Sequence, residues 1–300
     1  MINGIINVYK EAGYTSFDVV AKLRGIAGQR KIGHTGTLDP DATGVLPVAL
    51  GNATKLVDMM TDKKKEYVAT FVLGKTTDTQ DISGQVLSER EVCCDEKEVR
   101  EAITSFTGDI EQVPPMYSAL KVDGKRLYEL AREGKTVERK ARPVTIHEIE
   151  ILDVKIPDVK IRVVCSKGTY IRTLCYDIGE KLGCGATMTS LVRTASGQFS
   201  IDKAYKLSDL QALKDDGRLD SVVLAVDVLF SRYAAVRLSG EMLRLAKNGN
   251  MLRAKDIKGC VTEDGDMEKI RAYDDEGEFF ALYMSNGKGM YKVDKMFPRE

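Results

Sequence analysis

Apolar positions along the chain recur with two different periods. The opening run from Ile2 to Val8 is apolar enough for a strand, and Thr15-Ser16-Phe17-Asp18 has the form of a capping box, a hydroxyl followed three residues later by an acid. Val19, Leu23 and Ile26 continue it as a helical stripe. Residues 28–51 break any regular period with Gly28, Gly33, Gly36, Gly44 and Gly51, which predicts a long glycine-rich loop. Such a loop inside a compact domain more often serves function than mere connection. Tyr67, Ala69, Phe71 and Leu73 alternate as a strand, and Val99, Ala102, Ile103 and Phe106 predict a helix over Glu96 to Phe106. Pro114-Pro115 closes that unit. Ile161, Val163 and Cys165 alternate again and lead through Ser166-Lys167-Gly168-Thr169 into a helix marked by Ile171, Leu174, Cys175, Ile178 and Leu182, with Gly183 to end it. Leu210 and Leu213, then Val222 to Phe230, predict two short helices. Past Tyr233 the pattern changes to short segments between acidic or glycine-containing turns: Gly259-Cys260-Val261, Ile270 to Tyr273, and Phe279 to Met284. These predict a small β-rich barrel of about 70 residues, with the boundary near 230–235. There is no internal repeat.

Length agrees with this division, since 300 residues suffice for a large domain plus a small one. A chain that is 43% hydrophobic and 30% charged is neither disordered nor fibrous. No apolar run approaches the roughly 18 residues that span a membrane. The start, Met1 to Ile6, lacks the basic region and cleavage site of a signal peptide, so a cytoplasmic protein is expected. The six cysteines form no C-x-x-C pair and only His34 and His147 could add imidazole ligands, so neither a disulfide framework nor a metal site is expected. Buried reduced thiols fit better, and His147, beside Glu148, reads as structural.

The 45 basic and 45 acidic residues cancel, a sum that taken alone argues against a nucleic-acid binder. Their placement changes that picture. Lys22, Arg24, Arg30 and Lys31 are uninterrupted by acid, and the stretch from Lys121 to Arg142 carries eight basic residues against four acidic ones. Arg244, Lys247, Arg253, Lys255 and Lys258 form a third basic group, while 263–278 holds eight acids and two bases. Basic faces of this kind grip phosphates; the acidic stretch should lie away from them.

The most informative run is Gly33-His34-Thr35-Gly36-Thr37-Leu38-Asp39-Pro40-Asp41-Ala42-Thr43-Gly44-Val45-Leu46-Pro47. Asp39-x-Asp41-x-Thr43 matches the D-x-D-x-T signature of phosphohydrolases in which the first Asp attacks phosphorus beside Mg²⁺. That signature follows a continuous apolar strand, and residues 33–38 cannot form one. The whole run resembles instead the catalytic segment of the TruB family of tRNA pseudouridine synthases. Further matches follow in the family's order over roughly residues 4–195: Lys65-x-Tyr67, then Leu73-Gly74-x-x-Thr77-Asp78-Thr79-x-Asp81-x-x-Gly84; Pro114-Pro115-Met116-Tyr117-Ser118-Ala119-Leu120-Lys121 with Gly124-Lys125-Arg126-Leu127-Tyr128; and Ser166-Lys167-Gly168-Thr169-Tyr170-Ile171-Arg172-Thr173-Leu174. One departure is Lys10-Glu11-Ala12-Gly13-Tyr14-Thr15-Ser16, where Glu11 stands in place of the family's usual Pro and its turn loses that rigidity.

The resemblance implies an α+β fold: a catalytic domain over residues 1–230, built on a mixed, mostly antiparallel sheet with flanking helices, a thumb-like insertion at about 113–143, and a PUA-like RNA-binding barrel over 231–300. It implies isomerisation of uridine 55 in the T loop of tRNA, in which the N1–C1′ bond breaks, the base turns and C5 joins C1′. That change is redox-neutral and needs no group donor, consistent with a sequence holding neither G-x-G-x-x-G nor G-x-x-x-x-G-K-[ST]. The resemblance assigns Asp39 as the carboxylate at the sugar, acting as nucleophile or by removing a sugar proton. It assigns Tyr67 as the ring that stacks on the flipped uracil and a base at C5, and Arg172 as the partner that keeps Asp39 ionised and oriented. It places His34 against the T loop, Tyr170 beneath the site and Leu191 on its apolar side, and puts Lys10 and Lys167 among the substrate-binding residues. It implies neither cofactor nor metal, the T arm of tRNA as partner, no membrane, and a monomer without an obligate protein partner. The RNA-guided relatives of archaea and eukaryotes share the Asp segment but carry basic extensions that this chain lacks. Taken alone, an Asp before Pro caps a turn, a strand Tyr or Leu is core, and an Arg in a first helical turn is a solvated surface residue; the ordered matches separate these residues from such ordinary roles.

Overall fold

A computed structural model describes residues 1–61, 63–122, 124–257, 261–262 and 265–297. In chain order the main sheet takes β1 (Gly4–Lys10), β2 (Ile32–His34), β3 (Thr43–Leu50), β4 (Lys65–Leu73), β7 (Gly108–Gln112), β10 (Arg142–Lys155), β11 (Asp158–Cys165), β12 (Ala186–Ser196) and β13 (Phe199–Ser200). Its order is β1-β3-β12-β4-β11-β10-β7, with β2 added to β3 and β13 to β12. Every pairing is antiparallel except β12 with β3. The fold is therefore α+β on a mixed, mostly antiparallel sheet.

Local chemistry accounts for the elements that frame the cleft. Thr15 caps α1 (Ser16–Ala27) in a reciprocal box with Asp18, and Gly28 ends it in the left-handed conformation. β4 alternates buried and half-buried residues along its whole length, so Phe71 and Ala69 are fully buried under α3 (Glu96–Thr104) and α5 (Ile171–Lys181). The glycine-rich stretch is less of a loop than its composition predicts. Val45, Leu46, Val48, Ala49 and Leu50 are all buried, because β3 runs through the sheet with both faces covered, and such a strand shows no alternation for the sequence to reveal. Only residues 28–31 and 35–42 remain irregular. β12 was equally hidden, its eleven residues mixing threonines and serine among apolar positions.

Between β4 and α3 a small hairpin, β5 (Lys75–Thr77) and β6 (Val86–Glu89), brackets the turn at 78–85. The segment between β7 and β10 leaves the sheet edge as an insertion holding β8 (Lys121–Val122), β9 (Lys125–Arg126) and α4 (Leu127–Arg132). Turns at 51–56 lead into α2 (Val57–Thr61), and α6 (Leu207–Asp215) forms as expected. The second expected helix, at 222–230, is two tight turns, Leu219–Val222 and Val226–Phe230.

The C-terminal part is a curled five-stranded sheet of PUA-like form, order β14 (Ala234–Arg237), β18 (Lys269–Tyr273), β19 (Phe279–Ser285), β20 (Met290–Met296), β15 (Leu252–Arg253), with α7 (Gly240–Lys247) against it and a short ladder of β16 (Val261–Thr262) and β17 (Gly265–Asp266). Leu282, Phe279 and Phe297 pack with Phe230, Phe199, Ile5 and Val45, joining the two parts by a shared core. Lys258, Gly259, Cys260, Glu263 and Asp264 lie outside the described residues.

Gly44 is where β3 meets β12. Its φ is +104°, and a Cβ there would sit 2.2 Å from the Arg193 carbonyl oxygen. Gly44→Ala is expected to cost about 3 kcal/mol or more, a backbone clash added to a strained dihedral. A urea-unfolding midpoint within error of wild type would contradict that close approach.

Candidate active site

The site grows from the irregular loop between β2 and β3. Its backbone is fixed from beneath and behind: Leu38 N–H donates to Ser16 Oγ (2.9 Å), Gly13 N–H to Pro40 O (3.0 Å), and Thr35 N–H to Pro47 O (3.1 Å). Lys10 is fully buried, and its ammonium donates to the carbonyls of Ala42 (2.6 Å), Pro40 (2.8 Å) and Glu11 (3.1 Å). Burial pulls Lys10 down to about 8, against the opposing pull of Asp41 and Asp39. Arg193, buried in β12, donates to the carbonyls of Val45, Gly36 and Thr37. The loop thus presents Asp39 from a rigid frame.

Asp39 meets Arg172, the second residue of α5. Arg172 Nε lies 3.1 Å from Asp39 Oδ2 and Nη2 lies 3.4 Å from Oδ1, a two-point pair. The rest of the guanidinium is used as well: Nη1 donates to Thr79 O (3.0 Å) and Asp81 Oδ2 (3.3 Å), and Nη2 to Tyr117 O (2.8 Å). One arginine therefore ties together the catalytic loop, the 78–85 turn and the base of the thumb-like insertion. Only 5% of the Arg172 side chain is exposed, against 40% for Asp39, so the carboxylate can be reached from solvent while the guanidinium is held inside. Desolvation raises the Asp39 carboxyl above its usual range; Arg172 opposes this, and Asp81 adds to it.

Tyr67 is buried on β4, and burial raises its phenol, with Arg193 opposing and Asp39 adding a smaller push upward. Leu191 on β12 stands across from Ala69 in the adjoining apolar cluster. His34 ends β2; its Nδ1 accepts from Gly36 N–H (3.3 Å), and burial, then Arg193, hold the imidazole below its usual range. A neutral ring so held offers its Nε2 as a donor. Tyr170 precedes α5 and exchanges two backbone hydrogen bonds with the Gln112 side chain, 2.8 and 3.0 Å. Lys167 is exposed in the turn before α5.

Asp39 thus pairs with Arg172, both act on Tyr170, Asp39 acts on Tyr67, Leu191 shares the apolar cluster of Tyr67, and His34 is linked to the same frame through Arg193. Lys10 lies under the loop, where its three donors are spent on backbone. Lys10→Met is expected to leave those buried carbonyls unpaired at about 1–3 kcal/mol each, lowering thermal stability and turnover while tRNA affinity changes less than twofold. A large loss of affinity in filter binding would show direct contact with RNA instead.

Three comparisons bear on this arrangement. Residues 24–171 match the family description "TruB family pseudouridylate synthase (N terminal domain)" and residues 172–231 match "tRNA pseudouridylate synthase B C-terminal domain". A curated tRNA pseudouridine synthase B of Clostridium novyi is 49% identical over 98% of this chain and 99% of its own length. That of Lachnoclostridium phytofermentans is 49% identical over 99% of this chain and all of its own. The chain belongs to the TruB family. Among solved structures, it superposes with a TM-score of 0.72 and 26% identity on a chain of an H/ACA RNP bound to a substrate RNA containing 2′-deoxyuridine, covering 99% of this chain and 85% of that one. A chain of a Cbf5-Nop10-Gar1 complex gives 0.72 at 29% identity, with 98% and 85% covered.

Two residues of this TruB-family cleft had no assigned role in the sequence. Asp81 occurs in the motif Asp78-Thr79-x-Asp81, but its local bonds are those of a turn, with Oδ1 accepting from Ser83 N–H (3.1 Å); only the tertiary contact with Arg172 distinguishes it. Arg193 is an isolated cation in a strand, a type that sequence alone leaves on the surface. The third basic group is partly engaged within its own domain: Arg244 pairs with Glu241, Lys247 with Asp274 and Arg253 with Asp256. Among the described residues no helix is long and apolar enough to cross a membrane.

Proposed function

We propose that this chain isomerises uridine 55 in the T loop of tRNA to pseudouridine, with Asp39, Tyr67 and Arg172 as the catalytic residues. The observation that carries the reading is the two-point Asp39–Arg172 pair, its carboxylate open to solvent and close enough to the Tyr67 phenol to act on it. The target uridine leaves its stack and enters the cleft. Asp39, held ionised by Arg172, either attacks the sugar carbon or removes a sugar proton as the N1–C1′ bond breaks. The freed uracil turns between Tyr67 and Leu191, joins C1′ through C5, and gives up the C5 proton to Tyr67. His34 and the exposed Lys167 face RNA, and Tyr170 supports the cleft from beside α5. Residues 1–230 form the catalytic domain, with the thumb-like insertion at 113–143, and 231–300 a PUA-like RNA-binding domain. The reaction consumes no cofactor, and the enzyme works in the cytoplasm as a monomer without an obligate protein partner.

Phosphoryl transfer at Asp39 is the rival chemistry. It is disfavoured because the Asp39 carboxylate is already engaged at two points by the Arg172 guanidinium. Unmodified tRNA carrying tritium at uridine C5 separates the two. Release of label that survives EDTA supports the isomerase; activity on phosphate esters that vanishes with EDTA, with no label released, would support the rival.

A further inference from the structure

Arg193 is 1% exposed and donates to neutral carbonyls: Nε to Val45 O (2.7 Å), Nη2 to Gly36 O (3.2 Å) and Nη1 to Thr37 O (3.5 Å). Among the described residues no carboxylate pairs with it, and a guanidinium so buried is costly and calls for an explanation. Carbonyls on either side of Asp39 explain half of the arrangement. The other half lies across the ladder. Arg193 on β12 is registered directly opposite Tyr67 on β4, so the two side chains share one face at about 5 Å between Cβ atoms. From that position Arg193 opposes the upward push of burial on the Tyr67 phenol.

We propose that Arg193 is the positioning residue that makes Tyr67 a base, holding the phenolic oxygen as a hydrogen-bond acceptor and supplying the counter-charge of the phenolate. This rests on the reading of Tyr67 given above. Burial keeps the phenol protonated in most molecules, and in the fraction that reacts it loses its own proton to water before RNA binds, Arg193 enlarging that fraction against the burial. After C5 has joined C1′, the C5–H bond breaks, its electron pair restores the C5–C6 double bond, and the proton passes to the Tyr67 oxygen. The charge on that oxygen disappears and Arg193 returns to donating to a neutral phenol.

The groups around Tyr67 sort by sign. Asp39 from the catalytic loop and Cys165 from β11 oppose a negative phenol, and Arg193 from β12 favours it. Lys65 lies two positions earlier on the same face of β4 and donates to Thr61 O and Lys63 O. Lys10 and His34 each feel the charge of Arg193. Arg193 is the cation among the strongest influences on the Tyr67 phenol.

The test is single-turnover conversion of a full-length tRNA transcript carrying uridine or 5-deuterouridine, followed across pH. Arg193→Gln is expected to slow conversion about 100-fold, the scale of a general-base contribution, with tRNA affinity within threefold of wild type. It should raise the deuterium isotope effect and move the rising limb of the pH–rate curve to higher pH. Arg193→Lys should recover about tenfold and return the isotope effect toward wild type. A folded Arg193→Gln that is slow with an unchanged isotope effect and unchanged pH profile would show that Arg193 only braces the loop. If Arg193→Gln does not fold, 3-fluorotyrosine at position 67 in Arg193→Lys decides, because that phenol is more acidic: recovery of rate supports the proposal and no recovery overturns it. Tyr67→Phe with a wild-type rate and isotope effect would overturn the reading of Tyr67 itself, separately from either Arg193 result.

Discussion

Asp39→Asn is expected to reduce pseudouridine formation by at least about 10⁴-fold, the loss seen when a reacting group is removed rather than displaced. The amide keeps the shape of the side chain and still accepts from Arg172, so tRNA binding should remain within a few-fold of wild type. A second effect follows from desolvation. The Asp39 carboxyl is raised in the folded protein, so between its unfolded and folded values the native state binds the proton more tightly than the unfolded state does. Stability attributable to this residue is therefore highest below the unfolded value and falls as pH rises through the folded one. The difference in thermal midpoint, Asp39→Asn minus wild type, should grow more positive from pH 4 towards neutrality. A difference that stays flat or shrinks over that range would contradict the raised Asp39 carboxyl, whatever the activity result.

Arg172→Met is expected to have the largest combined effect. It leaves the Asp39 and Asp81 carboxylates close together without their cation, and it removes the donors to Thr79 O and Tyr117 O. Breaking a buried pair by deleting one partner typically costs 3–5 kcal/mol, and turnover should fall by about 10³-fold because the carboxylate loses both charge support and aim. Arg172→Lys keeps the charge but cannot reach four acceptors at once, so it should fold better than the methionine variant and remain poorly active. With weaker charge support the Asp39 carboxyl rises further, so the acid limb of the lysine variant's pH profile should move to higher pH. A lysine variant with wild-type stability and profile would mean that the four-acceptor geometry is not what the site depends on.

The parts of this site that the sequence made legible are those whose signal is local or carried by a long motif. The capping box at Thr15–Asp18, the alternation of β4 and the stripe of α5 are dictated by neighbours within a few residues, and they formed where the pattern placed them. Asp39 and Arg172 are 133 residues apart and stood out through motif resemblance; no periodicity links them. What stayed hidden depends on tertiary surroundings. β3 is apolar on both faces and punctuated by Gly44, so it read as loop until β1, β2 and β12 closed around it. The resemblance puts Lys10 among the substrate-binding residues, and only the folded loop brings its ammonium to the three carbonyls it satisfies. Arg193 becomes interpretable only when the β12–β4 register sets it opposite Tyr67. Net charge misled for the opposite reason: a balance of 45 against 45 sums segments of opposite sign along the chain, and the expectation that the acidic stretch lies away from the basic groups fails at Lys247, which pairs with Asp274.

The central claim is that this chain alone rearranges one uridine of tRNA through Asp39. The most direct measurement is chemical mapping of pseudouridine on an unmodified tRNA transcript after incubation with the purified chain, by carbodiimide adducts that stop reverse transcriptase. The account predicts a stop adjacent to position 55 with wild type and no stop with Asp39→Asn at equal RNA binding. A transcript left unmodified by the wild-type chain, or modified at another position, or modified equally by both proteins, would contradict it.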